Sequence, residues 1–288
     1  MMVTSFLEPK ADVEIHTGEA YLLTGATVQV EVAVCPQEQL NPRELRLELV
    51  GTETYYVEML QGKRSVQVKK AGEFTRVSYN IKDQPSFPPG VTTTRKFNIQ
   101  VPIDAPPSSY GKEVNVCWTL KAILDLPKRV NLVKEITVQV MSIPIRTKKA
   151  MTDLPQEKSY KDCILGLEVP NTTVSKGAIS GSLQVKALRK FQFRGIRVEL
   201  RQIENVTGRV EVNNVVAQQD LSGPISLNVT DSPSFPFSLP LPANAPSTTV
   251  TPHSSLRWQL RAVLDRKMRR DIDVERDVII CAVAAEST

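Results

Sequence analysis

VNVCWTLKAILD, residues 114–125, sets Val114, Val116, Trp118, Leu120, Ala122 and Leu124 on one side of an alternation, and Asn115, Cys117, Thr119, Lys121 and Ile123 on the other. A period of two places one face of a β-strand in a core, whereas a helix would need a period near 3.6. A near copy lies 140 residues later, with Leu256, Trp258, Leu260, Ala262 and Leu264 inward and Arg257, Gln259, Arg261 and Val263 outward. The same reading puts Cys117, and Cys35 in ATVQVEVAVC, on outer faces.

The correspondence extends upstream. KFNIQVPIDAPPS and PFSLPLPANAPST align Phe97, Pro102, Ala105 and Pro106 with Phe237, Pro242, Ala245 and Pro246. Proline lacks the N–H that a central ladder needs, so VPIDAPP and LPANAP are expected to leave the sheet as extended crossovers. The string PSFP recurs at 85–88 and 233–236, and LRLELVGTE (45–53) parallels IRVELRQIE (196–204) at an offset near 151, a drift attributed to loop lengths. Trp118, Trp258, Phe97 and Phe237 are assigned to core packing, since an inward aromatic supplies much of a strand's buried area.

Each half offers about seven short alternating runs between Gly, Pro, Asn and Asp clusters, and 288 residues suit two cores better than one. Twenty prolines against thirteen glycines, with recurrent Val, Ile, Leu and Thr, indicate an all-β chain of two tandem antiparallel, immunoglobulin-like β-sandwiches. The expected domains are 1–143 and 160–288, joined by a linker at 144–159 in SIPIRTKKAMTDLPQEKSYKD. No apolar run reaches 18 residues and no basic-then-apolar leader opens the chain, so a cytoplasmic protein is expected. Four dispersed cysteines without CxxC spacing read as free thiols.

A strand reading F-x-aliphatic-x-x-P, then A-P-S or similar, then aromatic-x-Leu-x-Ala, duplicated in tandem sandwiches, resembles the arrestin fold. Its matching residues here are Phe97, Ile99, Pro102, Ala105, Pro106, Ser108, Trp118, Leu120 and Ala122. GATVQVEVAV and SKGAISGSLQVKAL look like openings of the two domains. The resemblance implies a non-enzymatic adaptor or scaffold. Departures narrow it: phosphate-sensing arrestins carry paired lysines in the first strand, and here only Lys10 precedes residue 63. PPSSY (106–110) is one residue too long for PPxY, and little follows DVIICAV, so the tail-less microbial sporulation-control members are nearest in style.

Catalytic motifs are absent from the string itself. His16 and His253 have no partners at metal spacing, and GAISG (177–181) puts its serine one place too late for a nucleophile elbow. Neither cofactor nor metal is expected. DIDVERD places Asp271, Asp273, Glu275 and Asp277 on one strand face, readable as an ion-pair ladder with Arg257 and Arg261 or, alternatively, as part of a metal site completed by other loops. The turn DRKMRRD carries Arg266, Lys267, Arg269 and Arg270, where its counterpart DLPKRVN has only Lys128 and Arg129. Four crowded cations repel one another, which reads either as a solvated charged turn or as a surface for an acidic protein, a phosphorylated protein or an anionic membrane. The net charge of +5 is small, and without aromatic–basic interleaving nucleic acid is not the expected ligand.

Overall fold

The computed structural model describes residues 9–61, 64–81, 85–142 and 155–281. Every regular element among them is a strand. They sort into two compact units. The first takes the chain through Tyr55, then Lys69–Ser108 and Asn115–Ser142; the second takes Tyr56–Val68, Ser109–Val114 and the C-terminal half.

In the first unit, Thr27–Pro36 pairs antiparallel with Ala11–Thr17 on one side and Thr93–Gln100 on the other. The facing sheet centres on Glu44–Gln61 and Val114–Asp125, flanked by Arg64–Ile81 and Leu132–Val138. Alternation along both sheets sends Val30, Val32, Leu45, Leu47, Phe97, Ile99, Trp118 and Leu120 into one shared core, which makes the unit a sandwich.

The second unit repeats the plan. Cys163–Glu168, Ala178–Ala187 and Ser234–Pro240 form one sheet, extended by Gln156–Ser159. Gly195–Val206, Ser254–Asp265 and Ile272–Ile280 form the other, with Val212–Ser222 at its edge. Leu165, Leu183, Val198, Leu200, Phe237, Trp258 and Leu260 fill its core.

The doubling reaches individual hydrogen bonds. Trp118 Nε1 donates to the Pro106 carbonyl at 2.8 Å, and Trp258 Nε1 to the Pro246 carbonyl at 3.0 Å. The proline crossover therefore satisfies the one polar atom that each buried indole carries. Ser108 Oγ accepts from the Val140 amide as Thr248 Oγ1 accepts from the Ile280 amide, both at 2.9 Å.

Four expectations change. The drift from 151 to 140 comes from a longer hairpin, not longer loops: its strands have 18 and 18 residues in the first half and 12 and 11 in the second. The expected linker lies partly outside the described residues, at 143–154, and Gln156–Ser159 is a strand of the second sandwich, aligned by pairing with Cys163–Glu168. The two PSFP strings are not equivalent, since Phe87 bridges Leu40 while Phe235 pairs with Leu183 in a regular strand. Ile123 and Val263, outward by parity, are nonetheless buried, because alternation fixes the side of a residue but not what covers it. Cys35 and Cys117 are half-buried, Cys163 and Cys281 are buried, and none of the four is in a disulfide.

Candidate functional site

The basic turn is built by local backbone rules that operate in both halves. The Arg129 amide bonds to the Leu126 carbonyl and the Arg269 amide to the Arg266 carbonyl, closing four-residue turns whose third residues, Lys128 and Met268, have φ of 60° and 55°. Side chains five residues on cap each turn: Asn131 Oδ1 accepts from the Leu126 amide at 3.2 Å, and Asp271 Oδ1 from the Arg266 amide at 3.1 Å.

The four cations are not equivalent. Arg266 is mostly covered; it donates to Asp162 at 3.1 Å and to the Arg270 carbonyl at 3.2 Å, fastening the tip to the turn before Cys163–Glu168. Arg269, largely exposed, comes within 3.8 Å of Asp162, and Arg189 within 4.0 Å. Among the described residues, Lys267 and Arg270 have no ion-pair partner for their side chains, and Met268 between them is 94% exposed. The tip thus presents Lys267, Arg269 and Arg270 around a bare methionine, on a base riveted by Arg266.

The acidic face of Ile272–Ile280 is an ion-pair ladder. Arg261 contacts Asp273 and Glu275, Arg257 contacts Asp277 and Glu211, and Lys158 reaches Asp273 at 2.7 Å. Asp271 is the exception, spent on the turn cap. No cluster of His, Cys, Asp and Glu able to hold a metal occurs among the described residues.

Burial alone would push the Asp273 carboxyl up, but hydrogen bonds from Lys158 and Arg261 outweigh it and hold the group at about 2, below its ordinary 3.8. A depressed value contributes stability above the ordinary range and loses it as pH falls through 3.8 towards 2. Asp273→Asn is therefore expected to flatten the acid limb of a stability–pH curve within that window, read by denaturant melts at successive pH values.

Two positions that the sequence did not single out are buried carboxylates repeated at the 151 offset: Glu48 with Glu199, and Glu53 with Glu204. Glu199 accepts from Arg197 at 2.7 Å and Arg201 at 2.9 Å; burial raises its carboxyl and these two guanidinium hydrogen bonds more than reverse the effect. Glu204 is gripped by backbone. Its oxygens accept from the amides of Lys112, Glu113 and Val114 at 3.0, 2.7 and 2.9 Å and from Gln202 Nε2 at 2.8 Å. Successive N–H groups turned towards one anion form a nest.

Gly111 opens that nest. A Cβ there would lie 2.5 Å from Glu204 Oε2, 2.7 Å from Leu256 Cδ1 and 2.8 Å from the Val114 carbonyl, whereas the second repeat carries Thr251 at the same turn. Arg209 adds a second tie, donating to the Tyr56 carbonyl and to Glu113, each at 2.9 Å. These contacts explain why residues 56–68 and 109–114 belong to the second unit. The signal that could have revealed the buried acids was in the string: LRLELVGTE and IRVELRQIE keep both glutamates at matching places.

Compared with known protein families, residues 9–145 match the model described as Arrestin (or S-antigen), C-terminal domain. Residues 9–145 are thus similar to an arrestin-family domain, and the second half repeats the plan of the two facing sheets, with Gln156–Ser159 and the paired strands Phe191–Phe193 and Ile225–Leu227 in addition. Proteins of this family are in general non-catalytic adaptors that bind other proteins. No curated protein matches the chain. No helix among the described residues is long and apolar enough to cross a membrane.

Proposed function

We propose that this chain is a non-catalytic arrestin-like adaptor of the cytosol, built of two tandem sandwiches, that recognises protein partners through strand edges, loops and the basic turn. The observation that carries the reading is the division of labour at that turn: Arg266 is consumed by Asp162, while Lys267, Arg269 and Arg270 face solvent from a fixed base. Rigid presentation of cations lowers the ordering cost of binding an acidic or phosphorylated surface.

A second reading rests on Met268. An apolar side chain 94% exposed among cations is also the arrangement that enters an anionic lipid interface, so a peripheral phosphoinositide-binding role is the alternative. The test changes Lys267, Arg269 and Arg270 to glutamate together and leaves Arg266 in place, so that the rivet survives. Under the adaptor reading, immobilised wild type captures a defined set of proteins from its own lysate, the triple variant loses most of that set, and neither protein sediments with phosphatidylserine or phosphoinositide vesicles. Salt-sensitive sedimentation of wild type, lost in the variant, would establish the lipid reading instead. An unchanged capture set would show that the turn plays no part.

A further inference from the structure

The corner of each sandwich that holds the turn balances its charge differently, and the doubling of the fold makes the two comparable residue by residue. Ala11 pairs with Pro36 as Cys163 pairs with Ala187, so Lys10 is equivalent to Asp162 and Glu38 to Arg189. The backbone agrees: the Lys10 carbonyl accepts from the Gln37 amide and the Asp162 carbonyl from the Leu188 amide, both at 2.9 Å. Arg129 and Arg269 close the equivalent turns.

In the first sandwich the corner is closed from within. Arg129 donates to Glu38 Oε1 at 2.7 Å, and the Lys10 amide reaches the same oxygen at 3.4 Å. In the second, a cation stands where Glu38 would be. Arg189 and Arg269 both face Asp162, at 4.0 and 3.8 Å, and that carboxylate already accepts from Arg266 at 3.1 Å. Neither longer distance is a hydrogen bond, so two largely exposed guanidiniums flank one carboxylate with their donors unspent.

Around them Lys161, Lys190, Lys267 and Arg270 are exposed and, among the described residues, have no ion-pair partner. Residues 161–162, 189–190 and 266–271 thus set seven cations against two acids, and both acids are committed: Asp162 to Arg266, Asp271 to the Arg266 amide. The first corner shows that this geometry folds with an acid at the disputed position, so the change from Glu38 to Arg189 serves something other than folding. Crowded like charges are a cost that an anionic ligand offsets.

We infer that Arg189 and Arg269 form an open clamp for a carboxylate of a partner protein, which takes the place that Glu38 takes beside Arg129. The inference rests on the adaptor reading and adds Arg189 to its surface. The unpaired cations lie on three separate loops, a spacing that suits several carboxylates along an extended acidic segment better than one phosphate.

Anisotropy of a labelled decaglutamate peptide, titrated with the intact protein at low and high salt, tests the clamp. Wild type is expected to bind it, more weakly as salt rises. Arg189→Glu restores the acid–arginine pair of the first sandwich, so it should stay folded by circular dichroism while weakening binding by about tenfold or more. Joint change of Lys69 and Lys70 to glutamate, on the first sandwich, should leave binding unaltered. Binding that survives Arg189→Glu overturns the clamp; if the triple variant of the turn still loses its protein partners, the adaptor reading stands without it. No binding by wild type, or equal weakening by the Lys69 and Lys70 pair, also overturns it. Tighter binding of a phosphoserine peptide of the same length overturns it in favour of a phosphorylated partner. Weakening by Arg189→Glu beside an unchanged lysate capture by the triple variant would spare the clamp and sink the adaptor reading.

Discussion

Trp258→Ala is expected to destabilise the second sandwich by about 3–5 kcal/mol while leaving the first nearly unchanged. The indole is fully buried among Phe237, Leu200 and Leu260, and its loss leaves a large cavity together with an orphaned Pro246 carbonyl. Only two tryptophans occur, one in each core, so the remaining Trp118 reports the first sandwich by fluorescence while circular dichroism follows both. Two separated denaturant transitions, the one invisible to Trp118 displaced to lower denaturant, is the expected result. Trp118→Ala should give the reverse pattern, with loss of the edge-on contact to Phe74, whose ring centre lies 5.4 Å away. A single transition displaced as a whole would show that the cores do not unfold separately.

Glu204→Ala is expected to cost about 3 kcal/mol or more, since three backbone donors lose a buried charged acceptor together. The specific readout is hydrogen exchange at the amides of Lys112, Glu113 and Val114, protected in wild type and released in the variant. Glu204→Gln keeps one acceptor oxygen but adds donors to a nest made of donors, so it should recover only part of the protection. Gly111→Ala approaches the same cluster from the other side, forcing a Cβ into Glu204 and Leu256, and should release the same amides. Unchanged exchange in both Glu204→Ala and Gly111→Ala would remove the carboxylate from its assigned role.

Much of the architecture was legible because alternation and proline placement act locally. Trp118 and Trp258, Phe97 and Phe237, and the two proline crossovers all sit where a period-two reading places them, and their 140-residue spacing carried the doubling. What failed was non-local. PSFP is too short a string to prove equivalence, and its phenylalanines occupy different places in their halves. The four cations of the turn looked like one set because Asp162, which claims Arg266, is 104 residues away. Glu204 looked like an ordinary strand acid for the same reason: its three donors come from a turn in the other half of the sequence.

The grip of Glu204 on Lys112 has a consequence for synthesis. The amide leaves the ribosome 92 residues before the carboxylate that will hold it, and the Tyr56 carbonyl precedes Arg209 by 153. Early parts of the nascent chain must therefore wait, solvated and unclaimed, until the later half arrives. A truncated product beginning at residue 155 would be born with Glu204 stripped of its three amide donors and Arg209 of Tyr56 and Glu113, so severing the gene at its midpoint should yield a C-terminal piece that needs its missing N-terminal companion, supplied in trans, to become fully native.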